Sequence, residues 1–213
     1  DLSLTSSLSR LPKDIENLET AVGDRWLSLA LCNSSVPSLI QNKTIPGIIG
    51  CEDSGHIVLP IQHPKKSNQW GLVGDGVMTL VYTILARCVL RSSGVNNGFK
   101  SGWKLRKSVK GVNRKLWDGK NELSIQIHKL AEDWFITNSN STNLSSIEIN
   151  GSTSLLLLQG EIESLPFSLG IRNSGTEPKI SVSLRLSPGC EERISKSPSD
   201  LVNHLCEYLS RNM

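Results

Sequence analysis

The chain has 213 residues, enough for one large or two small domains, and 38% of them are apolar, which suffices for packed cores. A net charge of +3 does not identify a polyanionic partner, and the longest apolar stretch, about residues 77–90, is too short to cross a bilayer. The five cysteines are scattered, so they predict neither a disulfide framework nor a zinc motif and favour a reducing compartment. We expect a cytoplasmic protein without a membrane partner, and a piece of something longer, since it begins with Asp1 rather than Met.

Residues 1–95 predict an α/β domain. Its elements are a helix over 25–32 capped by Asp24, short strands at 46–50 and 56–59, and a helix that Gly74-Asp75-Gly76 opens and that runs to Leu90. Asp75 is the predicted N-cap of that second helix. Because the second helix is apolar nearly all round, we expect it to be packed inside its domain.

Residues 96–120 are rich in glycine and strongly basic, and we interpret them as a linker between two domains. The single acid Asp118 faces eight cations: Lys100, Lys104, Arg106, Lys107, Lys110, Arg114, Lys115 and Lys120. Clustered cations neutralise nucleic-acid backbones, so a nucleic-acid interface is an open alternative. The stretch has one central aromatic, Trp103, and no known nucleic-acid module. We therefore favour a solvated segment that attracts phosphate, and do not expect a nucleic-acid partner.

Residues 121–213 predict an α+β domain, a small antiparallel sheet with helices. Its elements are a helix over 122–134, an exposed loop over 138–146, strands at 146–149, 154–159 and 167–171 with a hairpin turn at Asn150-Gly151, and a last strand over 180–186. A terminal helix begins at Pro198-Ser-Asp200. Its apolar stripe consists of Leu201, Val202, Leu205 and Leu209.

The loop before the last strand combines a guanidinium, hydroxyls and a glycine in Arg172-Asn-Ser-Gly-Thr-Glu-Pro-Lys179. Arg172 offers a planar fork to two phosphate oxygens, and the hydroxyls of Ser174 and Thr176 donate. Gly175 lets successive backbone N–H groups form an anion-binding nest. Glu177 would repel a phosphate, so we expect it to accept backbone N–H bonds or to pair with a cation. The same residues also suit an ordinary turn, and the pattern alone leaves both interpretations open.

A second constellation is Glu52, Ser54 and His56, which share one side if the segment is extended. A carboxylate beside a hydroxyl grips neighbouring sugar hydroxyls, and an imidazole moves protons near pH 7. Taken by itself, the segment is better explained as polar residues in a surface loop.

In order, the chain carries Thr20-Ala-Val-Gly-Asp-Arg25, Gly50-Cys-Glu-Asp-Ser-Gly-His56, Gly74-Asp-Gly76 before an apolar helix, and Arg172–Lys179. This order resembles the third and fourth domains of the α-D-phosphohexomutases, a family that includes phosphoglucomutases, phosphomannomutases and phosphoglucosamine mutases. The resemblance implies an α/β sugar-binding domain over 1–95, a basic linker over 96–120 and a TBP-like C-terminal phosphate-binding domain over 121–213.

The resemblance also implies an isomerase that interconverts hexose 1-phosphate and hexose 6-phosphate through a phosphoserine and a bisphosphate. The implied sugar-binding residues are Glu52, Ser54, His56 (also a candidate proton mover) and Arg25, and the implied phosphate-binding residues are Arg172, Asn173, Ser174, Gly175, Thr176 and Glu177. Arg25 could equally pair with Asp24 or have another structural role in the fold. Cys51 and Asn173 depart from the residues common in the family.

Nothing in the chain resembles the family's serine nucleophile loop or its aspartate metal loop. The resemblance therefore implies that Mg²⁺ is bound by a missing N-terminal half, that hexose 1,6-bisphosphate is the activator, and that this chain is inactive alone. Its expected partners are a phosphorylated hexose and that N-terminal half. The alternative is a phosphosugar-binding module or pseudoenzyme, and the identity of the hexose is left open.

Overall fold

The structure is a computed structural model that describes residues 18, 20–21, 23–33, 47–52, 56–94, 101–140, 144–149, 151–175 and 177–213. These residues divide into two compact units, one from 16–98 with 149–151 and the other from 99–148 with 152–213. Both units are α+β, and each contains one antiparallel sheet. Within the described residues, no helix is long and apolar enough to span a membrane.

The described part of the N-terminal unit contains two helices and a three-stranded sheet in the order β1-β2-β3. Its elements are α1 (Asp24–Asn33), β1 (Gly50–Cys51), β2 (Ile57–His63), β3 (Lys66–Val73) and α2 (Gly76–Ser92). Strand β1 is shorter than predicted, because residues 47–49 are not in a strand and Pro46 lies outside the described residues. Strand β3 was not predicted, since its sequence, Lys-Ser-Asn-Gln-Trp-Gly-Leu-Val, lacks a clear apolar alternation.

Helix α2 confirms one prediction and contradicts another. Asp75 is its N-cap, and the Oδ1 atom accepts the backbone N–H groups of Val77 at 2.8 Å and Met78 at 3.0 Å. The prediction that α2 is packed inside its domain is wrong, because none of its residues is buried and Val77 is 72% exposed. The described part of this unit has one small sheet, and such a sheet covers only one side of a helix.

The described part of the C-terminal unit is a five-stranded antiparallel sheet, in the order β4-β8-β7-β6-β5, with two helices. Its elements are β4 (Trp103–Lys110), a 3₁₀ turn at Arg114–Leu116, α3 (Glu122–Asn138), β5 (Ser145–Ser146), β6 (Leu155–Ile162), β7 (Leu165–Asn173), β8 (Lys179–Leu186), a 3₁₀ turn at Glu191–Arg193, and α4 (Pro198–Asn212). The structure corrects the prediction of a linker over 96–120, because residues 103–110 form an edge strand of this sheet. The cations between Trp103, Leu105 and Val109 obscured the apolar alternation of that strand.

The core of this unit lies between one face of the sheet and the helices α3 and α4. The predicted stripe of α4 is confirmed, since Leu201, Val202, Leu205 and Leu209 are all buried. The alternation of β8 is confirmed as well, because its even-numbered residues from Ile180 to Leu186 are all buried. Side chains on a strand point alternately to the two faces, so the odd-numbered residues of β8 lie on the other face.

Part of that other face, which we call the basic face, is formed by alternate residues of β4, β8 and β7 that the strand register places side by side. Strand β6 continues the same face with Leu155, Leu157, Gln159 and Glu161. The members of the basic face are Lys104, Arg106, Ser108 and Lys110 on β4, Lys179, Ser181, Ser183 and Arg185 on β8, and Ser168, Gly170 and Arg172 on β7. These strand positions contain six cations and no acid. The sheet therefore separates an apolar face that packs on helices from a face suited to anions.

Candidate anion-binding site

The loop over 174–178 joins β7 to β8 at one end of the basic face. The backbone N–H of Ser174 donates to the carbonyl oxygen of Lys179 at 3.0 Å, and the N–H of Lys179 donates to the carbonyl of Glu177 at 2.8 Å. The Ser174 hydroxyl oxygen accepts the N–H of Glu177 at 3.3 Å. Because that oxygen acts as an acceptor, its hydroxyl hydrogen stays available to a ligand. Thr176 lies outside the described residues.

Arg172 is half-buried near the end of β7 and lies on the basic face, between Leu155 of β6 and Ser181 of β8. Its guanidinium makes no hydrogen bond and no ion pair with any residue that the structure describes. A guanidinium carries five N–H donors in a fixed planar fork. Arg172 can therefore offer two parallel donors to an anion without first breaking an internal contact.

Asn173 points to the opposite face, and it supports the loop instead of facing a ligand. Its Nδ2 atom donates to the carbonyl oxygens of Arg114 at 2.9 Å and Trp117 at 2.8 Å. Its backbone N–H donates to the carbonyl of Ser154 at 3.3 Å. All of its donors are used, so the predicted phosphate contact by Asn173 is replaced by a structural role.

Gly175 is exposed, and its backbone is not in the left-handed region that an anion-binding nest uses. A Cβ atom added at this position would meet nothing within 4 Å. Gly175 therefore does not supply the left-handed residue of the expected nest, and Thr176 lies outside the described residues. Donors for an anion come from side chains of the loop and the sheet.

The charge of Glu177 is paired, as expected, with a cation. Its carboxylate lies 3.0 Å from the Lys179 ammonium, and both groups remain partly exposed. This pairing lowers the repulsion that Glu177 would exert on a bound anion.

Arg114 supports the loop from outside it, a role that sequence patterns did not reveal. Its guanidinium donates to the carbonyl oxygen of Ser174 at 2.8 Å and contacts that of Glu177 at 3.4 Å. The end of β4 also holds the loop, through a bond of 3.0 Å from the N–H of Gly111 to the carbonyl of Pro178. The only signal was the position of Arg114 in the basic stretch, because β4–β8 pairing is what brings that stretch to the loop.

The single acid of the basic stretch does not neutralise these cations. Asp118 accepts the backbone N–H groups of Lys120 and Asn121, both at 2.7 Å, and so shapes the turn before α3. The bond from Lys120 is the main reason that the pKa of the Asp118 carboxyl lies below its ordinary value. The Asp118 carboxylate therefore bonds to the backbone of the turn in which it lies.

In the N-terminal unit, the structure brings together two of the motifs found in the sequence. The backbone N–H of Gly23, in the Thr20–Arg25 motif, donates to the Glu52 carboxylate. The N–H of Glu52 donates to the carbonyl of His56 at 2.9 Å, so the pairing of β1 with β2 continues to these two residues. Ser54 lies outside the described residues, so the expected arrangement of Glu52, Ser54 and His56 on one side stays a prediction.

His56 and Arg25 have neighbours in this unit as well. The His56 ring lies against Gly74, where an added Cβ atom would stand 2.4 Å from the imidazole Nε2 atom. The Arg25 guanidinium is exposed and lies 4.7 Å from the centre of the Trp26 ring. Within the described part of the chain, no three His, Cys, Asp or Glu side chains are placed to hold a metal ion.

Comparison of the chain with models of protein families, with curated proteins and with solved structures found no match. The site is therefore argued from geometry alone: a guanidinium that bonds to none of the described residues, and a hydroxyl donor, at the cationic end of a sheet.

The support role of Asn173 predicts that replacing it by aspartate destabilises the chain more than the same replacement at Asn113 does. Asn173→Asp keeps the shape of the side chain but turns a carboxylate oxygen toward two carbonyl oxygens, so the free energy of unfolding should fall by about 2 kcal/mol. Asn113→Asp is the matched control, because Asn113 uses its oxygen to accept the N–H of Lys115 and an aspartate can do the same. Urea unfolding followed by circular dichroism measures both, and equal stability of the two variants would contradict the support role.

Proposed function

We propose that this chain is the C-terminal half of a phosphohexomutase and that its C-terminal unit clamps the phosphate group that is not reacting. The observation that carries the proposal is Arg172, which lies on the basic face two residues before Ser174 and whose side chain bonds to no residue that the structure describes. A bidentate, charge-assisted contact from a guanidinium is the typical way to hold a phosphate dianion. The proposed phosphate ligands are Arg172, Ser174 and Thr176.

The supports of the loop fit this role. Arg114 bonds to the backbone of the loop, and Asn173 bonds to the backbone of Arg114, so the donors of the loop are positioned before a ligand arrives. Preorganised donors lose little entropy on binding. Glu177 is balanced by Lys179 and braces the loop without leaving an unopposed negative charge there.

The proposed task of the N-terminal unit is to recognise the sugar hydroxyls. One oxygen of the Glu52 carboxylate accepts the Gly23 N–H, which fixes the direction of the group. The carboxylate keeps further acceptor capacity for hydroxyl donors of a sugar. Ser54, His56 and Arg25 are the other proposed sugar-binding residues, with His56 as a candidate proton mover. In this proposal, the N-terminal unit corresponds to the third domain of the family. The C-terminal unit corresponds to the fourth, TBP-like domain.

The reaction needs groups that this chain does not carry. In the proposed full-length enzyme, an N-terminal half supplies the phosphoserine and holds Mg²⁺, whose charge would stabilise phosphoryl transfer, and hexose 1,6-bisphosphate acts as activator. A clamp that reads only phosphate suits a ligand that must bind in two opposite orientations. The second candidate function is a phosphosugar-binding module without catalysis, which the absence of a serine loop and a metal loop from the sequence favours.

Calorimetric titration with a hexose 6-phosphate tests the clamp through Arg172→Ala. Loss of one bidentate contact should cost about 1.5–3 kcal/mol, which is a roughly ten- to hundredfold loss of affinity. Binding of the unphosphorylated hexose should not change, because the removed group contacts only the phosphate.

The control for that titration is Arg193→Ala. It removes the same chemical group at the opposite end of the sheet, where Arg193 pairs with Glu163 beside the β6–β7 turn. The control should bind hexose 6-phosphate as the unaltered chain does. Equal affinity of Arg172→Ala and the unaltered chain would refute the clamp.

The chain alone should show no mutase turnover. With Mg²⁺, glucose 1,6-bisphosphate and a hexose 1-phosphate, no hexose 6-phosphate should form, because the sequence contains no serine loop to carry the phosphoryl group. A coupled assay for hexose 6-phosphate measures this. Interconversion by this chain alone would contradict the proposed division of labour.

A further inference from the structure

The basic face carries an unfavourable feature next to the loop. Lys110 of β4 lies directly opposite Lys179 of β8, and the two belong to the same face as Arg172. Like charges that stand directly opposite each other in an antiparallel pair destabilise a sheet. An arrangement that costs stability often marks a functional site, because function needs groups that folding alone does not favour.

The two lysines differ in how their charges are balanced. Lys179 is paired with Glu177 at 3.0 Å. Lys110 is exposed and makes no hydrogen bond or ion pair through its side chain with any described residue. The strand positions around it on the same face are Ser108 and Ser181, whose hydroxyl oxygens lie 3.1 Å apart. Within the described residues, the charge of Lys110 is therefore uncompensated.

The register brings these cations within reach of one ligand. Arg172 is opposite Ser181, two residues from Lys179, so Arg172 and Lys179 are diagonal neighbours on adjacent strands. Diagonal neighbours lie about 7–8 Å apart at their backbones, and neighbouring strands are about 4.8 Å apart. Arginine and lysine side chains are long enough to converge across such distances on a single phosphate group.

We propose that Lys110 and Lys179 extend the phosphate site from the loop onto the sheet, and that a bound phosphate dianion relieves their mutual repulsion. This inference rests on the proposed function and deepens it, because it assigns part of the phosphate affinity to strand residues outside the loop motif. Together with Glu177, the two negative charges of the dianion balance Arg172 and both lysines. An uncharged sugar has no such effect.

A compact anion fits this face better than a nucleic acid. A single-stranded nucleic acid binds where cations alternate with aromatic side chains that stack on its bases. No aromatic side chain belongs to the basic face as defined above, and Trp103 packs against the core on the other side of β4. The charges at the loop end therefore match one phosphate group.

The test is Lys110→Gln, measured in low-salt buffer for thermal stability and for affinity toward inorganic phosphate and a hexose 6-phosphate. Without anions, its Tm should rise by roughly 1–4 °C, because one of two opposed charges is gone. In about 1 M sodium chloride, where the Debye length is only about 3 Å, this gain should disappear. Affinity for both phosphate ligands should fall about fivefold or more.

Lys104→Gln is the matched control, since Lys104 lies on the same strand and face at the end away from the loop, opposite Arg185. It should bind both phosphate ligands as the unaltered chain does. The inference is overturned if Lys110→Gln keeps full affinity while Arg172→Ala loses it, and the clamp then stands alone. It is also overturned if Lys110→Gln fails to raise Tm, or if Lys104→Gln weakens binding equally. If the unaltered chain binds neither phosphate ligand, both the inference and the proposed function fail.

Discussion

The antiparallel pairing of β8 with β7 and β4 is the constraint on which the candidate site depends. Because side chains alternate across a sheet, this register sends Arg172 to the basic face and Asn173 to the opposite one. Arg172 is thereby available to a ligand, whereas Asn173 bonds to the carbonyls of Arg114 and Trp117. A shift by one residue would exchange them and leave the loop without its support and without its cation.

The same pairing explains which parts of the molecule could be predicted from the sequence. Elements whose evidence is local were predictable, such as the Asp75 cap, the alternation of β8 and the stripe of α4. The edge strand β4 was taken for a linker, because its apolar residues are interrupted by cations that the basic face requires. The role of Arg114 depends on contacts across 60 residues or more of chain, which no local pattern contains.

Packing was harder to predict than local structure. An apolar helix predicts an interior position only when enough other elements surround it, and α2 has none of its residues buried. The burial of α2 depends on neighbours that are distant in sequence, so its apolar residues predicted the helix but not its exposure.

The central claim is that the end of the basic face beside the 174–178 loop holds a phosphate group carried by a sugar. A crystal structure of the chain soaked with a hexose 6-phosphate tests it most directly. We expect electron density for the phosphate within hydrogen-bonding distance of the Arg172 guanidinium and the Ser174 hydroxyl. A loop left empty at saturating ligand, with the Arg172 side chain turned away from the basic face, would contradict it.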